Sequence, residues 1–76
     1  MEKKIISTQK EFDELIQNKF DGLIIIQDSK EKISVRDIHV VLKNSSAVMR
    51  ENSSAEMWGN SSAVMRENSS AVMREN

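Results

Sequence analysis

From Asn44 onward the chain repeats one eight-residue unit, reading NSSAVMRE, NSSAEMWG, NSSAVMRE, NSSAVMRE and then a lone Asn76. Nothing else in the sequence restricts the fold as strongly. Eight residues cannot hold two helices and a turn, and Ser, Asn and Val are weak helix formers, so each copy is one short strand plus one turn. Asn-Ser-Ser supplies the turn, because Asn tolerates left-handed dihedrals and both residue types bond nearby backbone. Ala-Val-Met-Arg runs extended, and strand alternation sets Ala47 and Met49 on one face with Val48 and Arg50 on the other.

The second copy decides which face is inside. It differs from the others at three positions only: Glu56 replaces Val, Trp58 replaces Arg and Gly59 replaces Glu, while Ala55 and Met57 keep the pattern. An unpaired Glu is expensive to bury. The inward core ladder is therefore Ala47, Met49, Ala55, Met57, Ala63, Met65, Ala71 and Met73, and the Val/Glu and Arg/Trp positions face water. Ser45, Ser53, Ser61 and Ser69 share the inward parity and line the corners. A disordered polar tract is the bland alternative, and the strict period with its fixed apolar pair argues against it.

A strand that buries one face needs a partner, and stacking like units about 4.8 Å apart supplies backbone pairing and ladders of identical side chains. The fold class expected is mainly β: a short parallel β-solenoid of octapeptide repeats with an N-terminal α/β (βαβ) cap. Two copies per turn give a flattened coil of two sheets, and three give a triangular one. Two suit the thin Ala and Met filling better. Arg50 then stacks over Arg66 on one sheet, and Trp58 lies beside Arg74 on the other within cation–π reach.

Residues 1–43 form the cap and residues 44–76 the repeat array. In the first part Lys4 to Ser7 is β-prone, and Thr8 with Glu11 makes a capping box that starts a helix. Phe12, Leu15, Ile16 and Phe20 fall on one helical stripe that ends near Gly22. Leu23 to Ile26 is a strand buried on both faces, so strand, helix and strand form a βαβ unit with parallel strands. Lys32 to Val35 and Ile38 to Leu42 are two more strands. Extending the octapeptide frame upstream turns His39 and Val41 inward and leaves Ile38, Val40 and Leu42 outside, to be covered by the helix stripe.

The cap pattern followed by NSSAVMRENSSAEMWGNSSAVMREN resembles bacterial proteins, often associated with phages or mobile elements, that carry long arrays of NSSVxAxx-type octapeptides after a short N-terminal segment. This chain has fewer copies, places Met where Ala is frequent there, and Ala where Val is frequent. The resemblance implies a bacterial cytoplasmic or phage-particle setting and no specific activity.

Composition excludes several classes of function. The chain of 76 residues has no Cys, so it has no disulfides or thiolate metal sites, and it has no Pro. A formal charge of -1 gives no electrostatic reason to bind nucleic acid or an anionic membrane. The longest apolar run falls far below the roughly 20 residues that span a bilayer. His39 is the only histidine and there is no Tyr, so no catalytic constellation, metal site or cofactor is expected, and the chain reads as no enzyme. His39 reads as a partly buried cap residue. The Asn-Ser-Ser triplets at Asn44, Asn52, Asn60 and Asn68 match the glycan-acceptor pattern, which turn chemistry explains. Arg50, Arg66 and Arg74 next to Glu51, Glu67 and Glu75 read as a mixed solvated face.

What is left is a non-catalytic structural or protein-interaction module, a rigid repeat rod. The alternative is a surface for a glycan or another repetitive ligand; ice is the poorer candidate, since it wants rows of small hydroxyl or methyl groups and the rows here are Arg, Glu and Trp. Either further copies follow in the native chain, or the expected partner is a second copy, giving a homodimer through the edge of the C-terminal strand. Its candidate interface residues are Ala71, Val72, Met73 and Arg74, together with Trp58 as an exposed anchor.

Overall fold

A computed structural model describes residues 2–74. The chain is mainly β with one short helix, and its order is β1 (Glu2–Ile6), α1 (Gln9–Gln17), β2 (Gly22–Gln27), β3 (Lys32–Arg36), β4 (His39–Lys43), β5 (Ser46–Arg50), β6 (Ser54–Trp58), β7 (Ser62–Met65) and β8 (Ser70–Arg74). All pairing between strands is parallel. Sheet A has five strands in the order β1-β2-β4-β6-β8, and sheet B has three, β3-β5-β7. From β2 onward, successive strands therefore alternate between two sheets, not three. Both sheets run across residue 43, since β4 pairs with β6 and β3 with β5.

The β1-α1-β2 unit is the expected strand, helix and parallel strand. Thr8 and Glu11 form the capping box: Thr8 Oγ1 accepts from the Glu11 amide, and the Glu11 carboxylate accepts from the amides of Ser7 and Thr8. Those bonds, chiefly the one from the Ser7 amide and then those from Thr8, hold the Glu11 carboxyl below the ordinary carboxylate range. The helix stops at Gln17, short of Gly22. It ends in a Schellman motif, with Lys19 N–H bonded to Ile16 O, Phe20 N–H bonded to Leu15 O, and Lys19 left-handed at φ 55. Gly22 is required by close approach: a Cβ there would stand 2.5 Å from the Glu2 carbonyl oxygen on the paired strand.

Side chains facing between the sheets form continuous columns. In sheet A one column is Ile24–Val40–Ala55–Ala71 and another is Ile6–Ile26–Leu42–Met57–Met73. In sheet B the columns are Ile33–Ala47–Ala63 and Val35–Met49–Met65. The Ala and Met of the repeats thus continue columns that begin with Ile, Val and Leu upstream, and the shared core also takes in Phe12 from α1.

The upstream frame needs a correction. Val40 and Leu42 are fully buried and aligned with Ala55 and Met57, whereas His39 is exposed and Val41 aligns with Glu56 on the outer side of sheet A. His39 pairs with Ser54 fifteen residues on, while Ser46 with Ser62 and Ser54 with Ser70 are sixteen apart. The missing residue lies in the corner Asn44-Ser45, which joins β4 to β5 with two residues where Gly59, Asn60 and Ser61 join β6 to β7. One residue of slip turns every side chain to the opposite face, and burial of two branched aliphatics fixes the register that results. Of the helix stripe, Phe12 joins the buried cluster that holds Val40 and Leu42, and Leu15 and Phe20 pack against it. Helix α1 packs beside β3, and Ile16 stays exposed.

Candidate interaction surfaces

Corner chemistry positions everything outside the core. Asn44, Asn52 and Asn68 take left-handed dihedrals as their turns require, and in the second copy Gly59 does so, at φ 64. Ser29, Ser45 and Ser61 stack at one corner, where the Ser29 amide donates to Ser45 Oγ and the Ser45 amide to Ser61 Oγ. Ser45 Oγ donates to Lys43 O at 2.9 Å and Ser61 Oγ to Trp58 O at 2.6 Å. Ser53 and Ser69 occupy the opposite corner, and their hydroxyls are buried without a hydrogen-bond partner.

Of the core ladder read from the sequence, Ala47, Met49, Ala55 and Met57 lie in the buried core, and Ala63 and Ala71 are partly buried against it. Met65 and Met73 share columns with Met49 and Met57 but are 40% and 61% exposed. They belong to β7 and β8, the outermost strands of their sheets among the described residues. Val72 is exposed there as well. Glu75 and Asn76 lie outside the described residues.

The opposite ends of the sheets differ. Sheet B is closed by α1 through one residue the sequence reading passed over: Gln9 Oε1 accepts from the Ser34 amide at 2.7 Å, and Gln9 Nε2 donates to Ser34 O. A side-chain amide there does what a paired strand would do. Only the i, i+25 spacing links the two residues, and no local pattern signals it. At the sheet A end, β1 carries Lys3 and Lys4, and Lys4 occupies an inward column position beside Ile24 while remaining exposed. A lysine facing inward on an edge strand discourages further pairing.

The second surface is the outer face of sheet A. All three residues that distinguish the second copy line one cavity of about 460 Å³, together with Lys3, Leu23, Ile25, Val41, Lys43 and Asn44. Trp58 Nε1 donates to Glu56 Oε1 at 2.8 Å. Arg74 pairs with Trp58 in register, but its Nε lies 4.0 Å from Glu56 Oε1, so the guanidinium is directed to the carboxylate. Of the residues read as a candidate interface, Ala71, Val72, Met73 and Arg74 form β8, whereas Trp58 stands one strand inside it on β6. His39, exposed, makes a 2.7 Å hydrogen bond with Ser54 Oγ.

No helix among the described residues is long and apolar enough to cross a membrane. No protein-family model, curated protein or solved structure matches the chain.

Proposed function

We propose that the two sheets are a β-solenoid of octapeptide repeats capped by residues 1–43, and that the chain is a non-catalytic structural module which associates through the side of β7 and β8 that no other described strand pairs. The observation that carries this reading is the exposure of Met65 and Met73, whose column partners Met49 and Met57 are 0% and 6% exposed. Completing those columns is worth on the order of 1 kcal/mol or more per methionine, on top of the backbone bonds gained. The helix over β3 and the lysines of β1 blunt the other end. A second copy is therefore met tail to tail across a two-fold axis. Kinship with the bacterial, phage-associated octapeptide arrays, and a setting in the cytoplasm or a phage particle, belong to the same proposal.

Sedimentation at micromolar concentration is expected to give a dimer without fibres, and a strictly monomeric chain would sink the reading. The place of a blocking proline follows from the hydrogen bonds. The Ser70 amide donates to the carbonyl of Ser53, the residue before β6, so by alternation Val72 also faces β6, while Ala71 and Met73 present their amides to the side away from it. Met73→Pro should dissociate the dimer and leave the monomer folded. Val72→Pro should instead break the β6–β8 ladder and lower stability.

A further inference from the structure

We infer that the cavity on the outer face of sheet A is a docking site for an acidic–apolar segment of a partner polypeptide, one that sets an aliphatic side chain between two carboxylates. This site is separate from the β7/β8 edge, and its occupancy does not depend on the oligomeric state. The floor is apolar, made by Leu23, Ile25 and Val41. Along the strand direction it is bounded at one end by Lys3, which pairs with Leu23, and at the other by Lys43, which pairs with Trp58. Those two levels are four residues apart, or about 13 Å at roughly 3.3 Å per residue.

The charges inside the site are not balanced. Glu56 is its only carboxylate, and it already accepts from Trp58 Nε1 and faces Arg74. The ion pairs among the described residues are Arg36–Glu51 and Arg74–Glu56, so neither Lys3 nor Lys43 has a carboxylate at salt-bridge distance. Two cationic ends flanking an apolar floor are complementary to an extended segment with acidic residues at i and i+4 and an aliphatic one at i+2.

The repeat itself shows that this cavity is a departure from regularity. With the residues of the other copies, position 56 would be Val, position 58 Arg and position 59 Glu. A third cation would then stand where Trp58 forms the wall, and a carboxylate would stand at the rim that Gly59 leaves bare. All three changes act in one place: Gly59 takes a carboxylate off the rim, Trp58 puts an apolar wall where a cation would stand, and the carboxylate that Glu56 adds is held by Trp58 Nε1 and faces Arg74. The volume also lies within the range usual for ligand sites.

Trp58 is the only Trp and the chain has no Tyr, so intrinsic fluorescence reads the site directly. The probe is the blocked peptide Glu-Thr-Leu-Thr-Glu, titrated into the full chain, with Lys-Thr-Leu-Thr-Lys and Glu-Thr-Ser-Thr-Glu as controls and calorimetry as a second readout. Saturable binding is expected for the first peptide and at least about tenfold weaker binding for both controls. Gly59→Glu and Lys43→Glu should each weaken it by about tenfold or more, and Lys43→Glu should gain affinity for the lysine peptide. The other copies already hold Glu51 and Glu67 at positive φ in the position of Gly59, and the charge exchange at Lys43 tests the same point without touching a corner. The proposal is overturned by the absence of saturable binding, by equal binding of the two charged peptides, or by unchanged affinity in both variants. A response to phosphatidylglycerol vesicles or to a neutral oligosaccharide, with none to the acidic peptide, would overturn it too.

Discussion

Ser53 and Ser61 occupy the same place in the octapeptide and have opposite surroundings. Ser61 Oγ donates to a carbonyl, while Ser53 Oγ is buried with no partner in a residue 1% exposed. An unsatisfied buried hydroxyl costs about 1–3 kcal/mol, and a satisfied one contributes about 1. Ser53→Ala is therefore expected to stabilise the chain by about 1 kcal/mol and Ser61→Ala to destabilise it by a similar amount, as measured by chemical denaturation. A second residue-scale test separates the faces: Met49→Lys should cost several kcal/mol by placing a charge in a thin core, and its neighbour Val48→Lys no more than about 0.5. Equal costs at both sites would contradict the column assignment. The inward parity of Ala and Met was legible from a single Glu in the second copy. The split between alternate serines was not, because the unit has a period of eight while successive strands alternate between two sheets, and identical letters meet two different corners.

At the scale of elements, the helix carries its own signals at one end only. Thr8 and Glu11 announce the start, but the stop at Lys19 uses a left-handed lysine where glycine is usual, so the sequence placed the end at Gly22. Lys19→Gly should raise stability by roughly 1 kcal/mol, since it relieves the left-handed cost and keeps both bonds of the motif. A loss of helical signal in circular dichroism would refute that account. For β4 the strand itself was legible and its facing was not. The octapeptide frame assumes equal corners, and Asn44-Ser45 is one residue short. The strand's own residues do not decide it, since Val40, Val41 and Leu42 are all apolar and all buried, and only the pairing of Val40 with Ala55 and Leu42 with Met57 shows which face is inside.

Across the whole molecule, both sheets cross residue 43 and one core runs from Phe12 to Met57. Such continuity predicts one cooperative transition. Phe12→Ala is expected to cost about 3–5 kcal/mol and to lower the single midpoint followed both by Trp58 fluorescence and by β-sheet circular dichroism. Two separate transitions would show instead that the repeats hold together without the helix. The groove on sheet A was half legible, since Glu56, Trp58 and Gly59 stood out as exceptions. Its other half, Lys3, Leu23, Ile25 and Val41, comes from strands distant in sequence, and only the register of the stack brings them beside the exceptional copy.

Because neighbouring octapeptides land on opposite sheets, the array has an even–odd arithmetic that bears on how it can change. Inserting one copy between Lys43 and Asn52 would carry Glu56, Trp58 and Gly59 to the place of β7 on sheet B, away from both lysines. Inserting two would keep them on the same sheet but one rung further along. Lengthening by recombination is therefore neutral for the groove only downstream of Gly59, and upstream of it every gain or loss of a copy moves the tryptophan away from its floor.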